Sequence, residues 1–181
     1  MSFIYKNIEL GQSENILNVF TDEIPQYDLI IEIGTHRGGL TLLLSDMLTH
    51  GKIVSYELHK SNCLICNTDK IDIRFVNCFN AEDEIKNLIE SHKKVLLLCD
   101  GGKKELEFKT FAKYLKKDDV IMLHDYSDNI NSYKEYAKLI NWPTHPESHY
   151  KNITSTINTY KLTKYKYNEF LSVFWGAFIK T

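Results

Sequence analysis

The chain carries no excess of charge of either sign: 22 lysines and arginines stand against 24 aspartates and glutamates, a formal charge of −2 over 181 residues. A protein that grips nucleic acid or an anionic membrane through its field needs a basic surplus, so neither partner is expected. No apolar run approaches the roughly 20 residues that cross a bilayer. The opening "MSFIYKNIEL" also lacks the basic-then-apolar layout of a secretory signal. A soluble, cytoplasmic protein is the expectation. Cysteine is sparse as well, with Cys63, Cys66, Cys78 and Cys99. Cys63 and Cys66 form a CxxC, but Cys78 and Cys99 do not repeat that spacing and each sits beside an apolar run. Reduced, packed thiols are expected rather than a zinc site. There is no internal repeat, linker or low-complexity tract, and the length suits one domain with one core.

What is present is alternation. "DLIIEIG", "KIVSYE", "IDIRFV", "KVLLLCD" and "DVIMLHD" are near-continuous apolar runs of strand length. Between them lie "GGLTLLLSDMLTH", a short helix from Ser61, "AEDEIKNLIESH" and "KELEFKTFAKYLKK", whose apolar residues recur at three- and four-residue steps. Strands buried on both faces with helical crossovers read as an α/β fold, a Rossmann-like doubly wound sheet that is mostly parallel. After about residue 150, "STINTYKL" and "LSVFWGAFIK" look like two strands with no long helix between them. An antiparallel hairpin over about 153–180 would close one edge as the sixth and seventh strands. A helical cap over about 11–24 precedes the 28–127 core, and the aromatics of "YKEYAKLINW" have the spacing of core residues.

Such sheets bind ligands beyond the carboxyl ends of their strands, where strand order reverses. At the end of the first strand stands "EIGTHRGG", in which Glu32, Gly34 and Gly38 form ExGxxxG. A dinucleotide site needs GxGxxG for close pyrophosphate approach, and His36 stands where its middle glycine would be. An acid at Glu32 suits a ligand with a cationic amino group. Glu57 ends the second strand, where a carboxylate can accept ribose hydroxyls. Together they read as a site for an adenosine attached to an amino acid. Asp100 and Lys103 lie at the fourth strand's mouth, and His124 and Asp125 at the fifth. Such oxygen-rich groups suit Mg²⁺, while the histidine shifts preference toward Mn²⁺, Fe²⁺ or Zn²⁺. His36, His145 and His149 read as surface or lid residues.

These motifs, in this order over nearly the whole chain, resemble the class I S-adenosylmethionine-dependent methyltransferases. The resemblance implies S-adenosylmethionine as cofactor, with Glu32, Gly34, Thr35 and Gly38 around its methionine part, Glu57 on the ribose and Leu58 on the adenine. The adenine amino contact falls on Asn77, Cys78 or Asn80. Among these enzymes, the divalent-metal O-methyltransferases of the catechol and macrolide-sugar type carry an acid after strand four and paired ligands after strand five. That pattern implies Asp100, His124 and Asp125 as ligands of Mg, Mn or Fe, with Lys103 as general base for a small hydroxylated acceptor. His124 departs from it, since an acid is usual there. The alternatives are a cephalosporin-hydroxylase-like or nicotinamide-dependent enzyme on the same fold, and a non-catalytic S-adenosylmethionine binder.

Overall fold

A computed structural model describes residues 3–181. Seven strands form one sheet: β1 Leu29–Ile33, β2 Lys52–Tyr56, β3 Ile71–Arg74, β4 Val95–Cys99, β5 Val120–Leu123, β6 Leu162–Lys164 and β7 Gly176–Lys180. Their spatial order is β6-β7-β5-β4-β1-β2-β3. The first five are mutually parallel, while β7 runs antiparallel to both β5 and β6. The order reverses between β1 and β4, which places the ligand crevice of an open α/β sheet beyond those two strands.

Seven helices flank it: α1 Ile16–Thr21, α2 Gly39–Met47, α3 Glu82–Ser91, α4 Lys104–Phe111, α5 Ile130–Leu139, α6 Tyr150–Thr159 and α7 Tyr167–Leu171. Successive strand side chains point to opposite faces, and the core divides accordingly. Leu29, Ile31 and Ile33 of β1 join Val95, Leu97 and Cys99 of β4 under α3, α4 and α6. Ile30, Leu96, Leu98 and Met122 face the other way, under α1, α2 and α7. The apolar runs are continuous because both faces are covered.

Three expectations change. "STINTY" is not strand: Thr156 to Thr159 belong to α6, and only Leu162–Lys164 pair with β7. Its Thr and Ile residues favour strands by propensity, but Ile153 and Ile157 are one helical turn apart and both buried, so helical period prevails. The hairpin loop also contains α7, and the segment from Ser61 holds only a 3₁₀ turn, Lys60–Asn62. The N-terminal cap is α1 preceded by an antiparallel pair, Ile4–Tyr5 with Ile8–Glu9. A second short pair, Tyr126–Ser127 parallel to Ser148–His149, holds the 141–149 segment at the mouth of β5. All four cysteines are free; Cys78 and Cys99 are buried as expected, whereas Cys66 is exposed. No helix of the described residues is long and apolar enough to cross a membrane.

Candidate active site

A cavity of about 950 Å³ opens at the carboxyl ends of β1, β2, β4 and β5. That is near the upper end of the range for small-molecule sites. Its floor is the turn from β1 into α2. Gly34 has φ +97°, and a Cβ there would lie 2.4 Å from the Asp100 carbonyl oxygen. The space a glycine leaves is therefore filled by the chain's own backbone after β4, not kept for a ligand. Gly38 caps α2 with φ +88°, against the side chain of Ile65.

Glu32 lies one layer below the cavity wall and is completely buried. Its Oε2 accepts hydrogen bonds from Thr41 Oγ1 at 2.6 Å and Ser55 Oγ at 2.5 Å, while Oε1 has no partner among the described residues. Thr35, on the cavity wall, pairs with Ser55 at 2.6 Å, so a chain of hydroxyls separates Glu32 from the cleft. Burial lifts the Glu32 pKa from 4.5 to about 7, against the opposing hydrogen bonds of Ser55 and Thr41. An acid whose folded pKa is raised binds more protons folded than unfolded. Its contribution is most favourable below about 4.5 and declines as pH rises to about 7, by about 3 kcal/mol. Denaturant titrations of wild type and Glu32→Gln at pH 5 and pH 8 should show the variant gaining on wild type at the higher pH. A difference independent of pH would mean that Glu32 titrates normally.

Glu57 is on the cavity wall at the end of β2. Its Oε2 accepts the His36 N–H at 2.7 Å, and its Oε1 accepts those of Leu58 and His59 at 2.8 and 2.9 Å. Three backbone amides thus fix the carboxylate and tie it to the glycine turn, where His36 has φ +50°. A carboxylate has about four acceptor positions, so room remains for one ligand hydroxyl before an amide must give way. Beside it Leu58 is 60% exposed, and Val76 across the cleft is also open. Of the three candidates after β3, Asn77 and Cys78 line the cavity and Asn80 does not.

The other half of the cleft is polar. His124 is buried, stacked on Trp175 with ring centroids 4.8 Å apart, and its Nδ1 donates to Asp100 Oδ1 at 3.0 Å. Burial works to lower its pKa, but Asp100 and then Asp125 outweigh burial and raise it. Gln12 donates to Asp100 Oδ2 at 3.0 Å and accepts from Trp175 Nε1. Asp125, at φ +49°, accepts from Trp142 Nε1 at 3.2 Å.

Lys103 is exposed on the cavity wall and makes no ion pair among the described residues. Lys104 is buried, 8% exposed, with its ammonium paired to Glu147 and 3.7 Å from both Asp100 Oδ1 and Asp125 Oδ2. Burial works against its charge, yet Asp100, Glu147 and Asp125 together raise its pKa. Glu107 turns back to accept the Gly101 and Lys103 N–H groups, and burial raises its pKa to about 7.

Asp100, His124 and Asp125 do converge as the sequence suggested, but they do not fit the metal proposed for them. A divalent cation needs freely directed oxygens at about 2.0–2.6 Å. Here Asp100 Oδ1 and Asp125 Oδ2 face an ammonium, and the His124 nitrogen nearest them already carries the proton donated to Asp100. No group of three His, Cys, Asp or Glu side chains among the described residues is arranged to hold a metal ion.

Sequence reasoning missed Lys104, Gln12, Glu107 and Glu147. Lys104 carried a usable signal, since it shares the buried face of α4 with Glu107, Phe108 and Phe111 at helical spacing. Gln12 and Glu147 carried none, because they reach the cluster from distant segments.

Neither a protein-family pattern nor any curated protein matches the sequence. Similarity appears in three dimensions. A Staphylococcus aureus protein named as a caffeoyl-CoA O-methyltransferase superposes with a TM-score of 0.62 at 10% identity, over 93% of this chain and 84% of that one. The MycE methyltransferase of the mycinamycin biosynthetic pathway, solved with Mg and SAH, gives 0.55 at 12% identity, over 91% and 48%. Human N-acetylserotonin methyltransferase, solved with SAM, gives 0.53 at 12%, over 92% and 50%. The chain thus spans about half the length of the latter two. At such identities the likeness is one of fold, and the fold is that of the class I S-adenosylmethionine-dependent methyltransferases.

Proposed function

We propose that the cavity binds S-adenosylmethionine and that the chain transfers its methyl group to a hydroxyl of a small molecule. The observation that carries this reading is Glu57, a carboxylate held by three amides on the wall at the mouth of β2, flanked by the uncovered apolar side chain of Leu58. Ribose needs an anchored acceptor, and a purine needs exposed apolar surface beside it. Leu58 and Val76 supply that surface, and Asn77 and Cys78 lie where the ring's polar edge would be read. Glu32 acts on the amino-acid end through the Thr35–Ser55 hydroxyls.

When bound, S-adenosylmethionine supplies a methyl group on a positively charged sulfur, which leaves as a neutral thioether. The chain's contribution is alignment, which can account for much of the acceleration of a two-reactant step. Asp100, fixed by Gln12 and His124, presents a carboxylate edge for the acceptor hydroxyl. Lys103, at the rim, takes the proton released as the carbon–oxygen bond forms, acting from the molecules in which its own amine has first given up a proton to solvent and is neutral. Trp142, held on Asp125, gives the acceptor side an aromatic wall.

Calorimetric titration with S-adenosylhomocysteine, S-adenosylmethionine and NAD tests the reading. The first two should bind and NAD should not; the reverse would favour a dehydrogenase. A hydrogen bond to a charged group contributes about 1.5–3 kcal/mol, so Glu57→Ala should weaken S-adenosylhomocysteine binding by at least about tenfold. Unchanged affinity in a folded Glu57→Ala protein would remove Glu57 from the site.

A further inference from the structure

We infer that Lys104 is a resident cation standing in place of a divalent metal at the mouths of β4 and β5, and that the cleft works without one. Asp100 Oδ1 and Asp125 Oδ2 each lie 3.7 Å from the Lys104 ammonium. The same oxygens face His124 Nδ1, at 3.0 and 3.6 Å. The other oxygen of Asp100 is taken by Gln12, and that of Asp125 by Trp142. A metal ion bound here would therefore have to displace the ammonium and strip both carboxylates of their partners.

The ammonium is also fixed from behind. Lys104 starts α4 on the face that Phe108 and Phe111 bury, so its stem is held in the core and its head points at the cluster. From the opposite side Glu147 closes on it, and the Glu147 and Ser148 amides bond the Asp125 carbonyl at 3.0 and 3.1 Å. Three carboxylates converge on one buried amine. Left without a counter-charge they would repel one another, and Asp100 and Asp125, the two that are largely buried, would pay the cost of desolvation. Lys104 supplies that charge and positions Asp100 and Asp125, which makes it a positioning residue.

Removing the amine while keeping its bulk should unmask the metal site, because Asp100, Asp125, Glu147 and His124 form the mixed oxygen and imidazole set that Mn²⁺ accepts. Mn²⁺ is titrated into wild type, Lys104→Met and Lys104→Arg, and the free ion is followed by its paramagnetic resonance signal. Wild type and Lys104→Arg should show no saturable binding at millimolar Mn²⁺. Lys104→Met should bind saturably, with a Kd at least about tenfold below 1 mM, and adding Asp125→Ala should abolish that binding. Saturable micromolar binding by wild type that is lost in Asp125→Ala would overturn the inference, as would a folded Lys104→Met protein that gains nothing. Should Lys104→Met not fold, wild type and Lys104→Arg still decide. The readout is independent of methyl transfer: wild type that ignores S-adenosylhomocysteine would sink the proposed function and leave this inference standing.

Discussion

Lys103→Ala is expected to lower turnover in methyl transfer by about 10²- to 10⁴-fold, the usual contribution of a positioned proton acceptor. The loss corresponds to roughly 3–5 kcal/mol of barrier. Two neighbouring lysines enter α4 with opposite fates: Lys104 turns inward onto three carboxylates, while Lys103 stays exposed on the cavity wall. What ties Lys103 into the fold is its backbone N–H, which donates to Glu107 at 3.1 Å and survives the substitution. The variant should therefore fold and bind S-adenosylhomocysteine as wild type does, with the loss confined to kcat. Turnover within a few-fold of wild type would assign the proton to another group, and Asp100 with His124 would be the next pair to test.

Gly34→Ala should destabilise the chain by about 3 kcal/mol or more, lowering Tm by roughly 6–12 °C for a domain of this size. Two costs combine. The residue sits at φ +97°, which side chains rarely adopt, and the new Cβ would meet the Asp100 carbonyl oxygen at 2.4 Å and its carbon at 2.7 Å. Both neighbours are backbone and cannot swing aside. Relief requires the mouth of β1 to part from that of β4, where the Asp100 N–H donates to the Ile33 carbonyl at 2.9 Å. Gly102→Ala is the internal control, because a Cβ there meets nothing within 4 Å. Its Tm should stay within a degree or two of wild type, and equal losses in the two variants would show that the contact after β1 is not tight.

The sheet was legible because a strand covered on both faces writes itself as an unbroken apolar run, and five such runs alternate with helical periods. The C-terminal part was less legible. Thr and Ile in "TSTINT" favour extended chain locally, whereas the pair Ile153 and Ile157 reports what the core requires. Within the site, position along a strand located Asp100, His124 and Asp125 correctly at adjoining mouths. It could not say what lies between them. A lysine on a buried helical face looks like an error in the apolar pattern, so Lys104 was passed over for its exposed neighbour. Gln12 reaches Asp100 across 88 residues of sequence, a separation over which no local pattern operates. Glu32 could have been placed by alternation alone. It shares the face of Ile30, towards α2, and so points at Thr41 rather than into the cleft.

The two ends of the sheet bear on how the protein behaves in concentrated solution. An unpaired strand edge is a template on which another chain can add, the first step of ordered aggregation. β6 forms one edge with only three residues, of which Thr163 and Lys164 are exposed. β3 forms the other with four, and alternates buried Ile71 and Ile73 with Asp72 and Arg74, which pair with each other at 2.9 Å. A strand docking on either side would have to match a short, charged rim and give up the solvation of Lys164 or of the Asp72–Arg74 pair. At β3 the preceding loop adds cover, because the outward Ile71 and Ile73 N–H groups donate to Thr68 Oγ1 at 3.1 Å and Asn67 Oδ1 at 2.9 Å and the Ile71 carbonyl accepts the Thr68 N–H at 2.9 Å, so the sheet is protected from growing beyond seven strands.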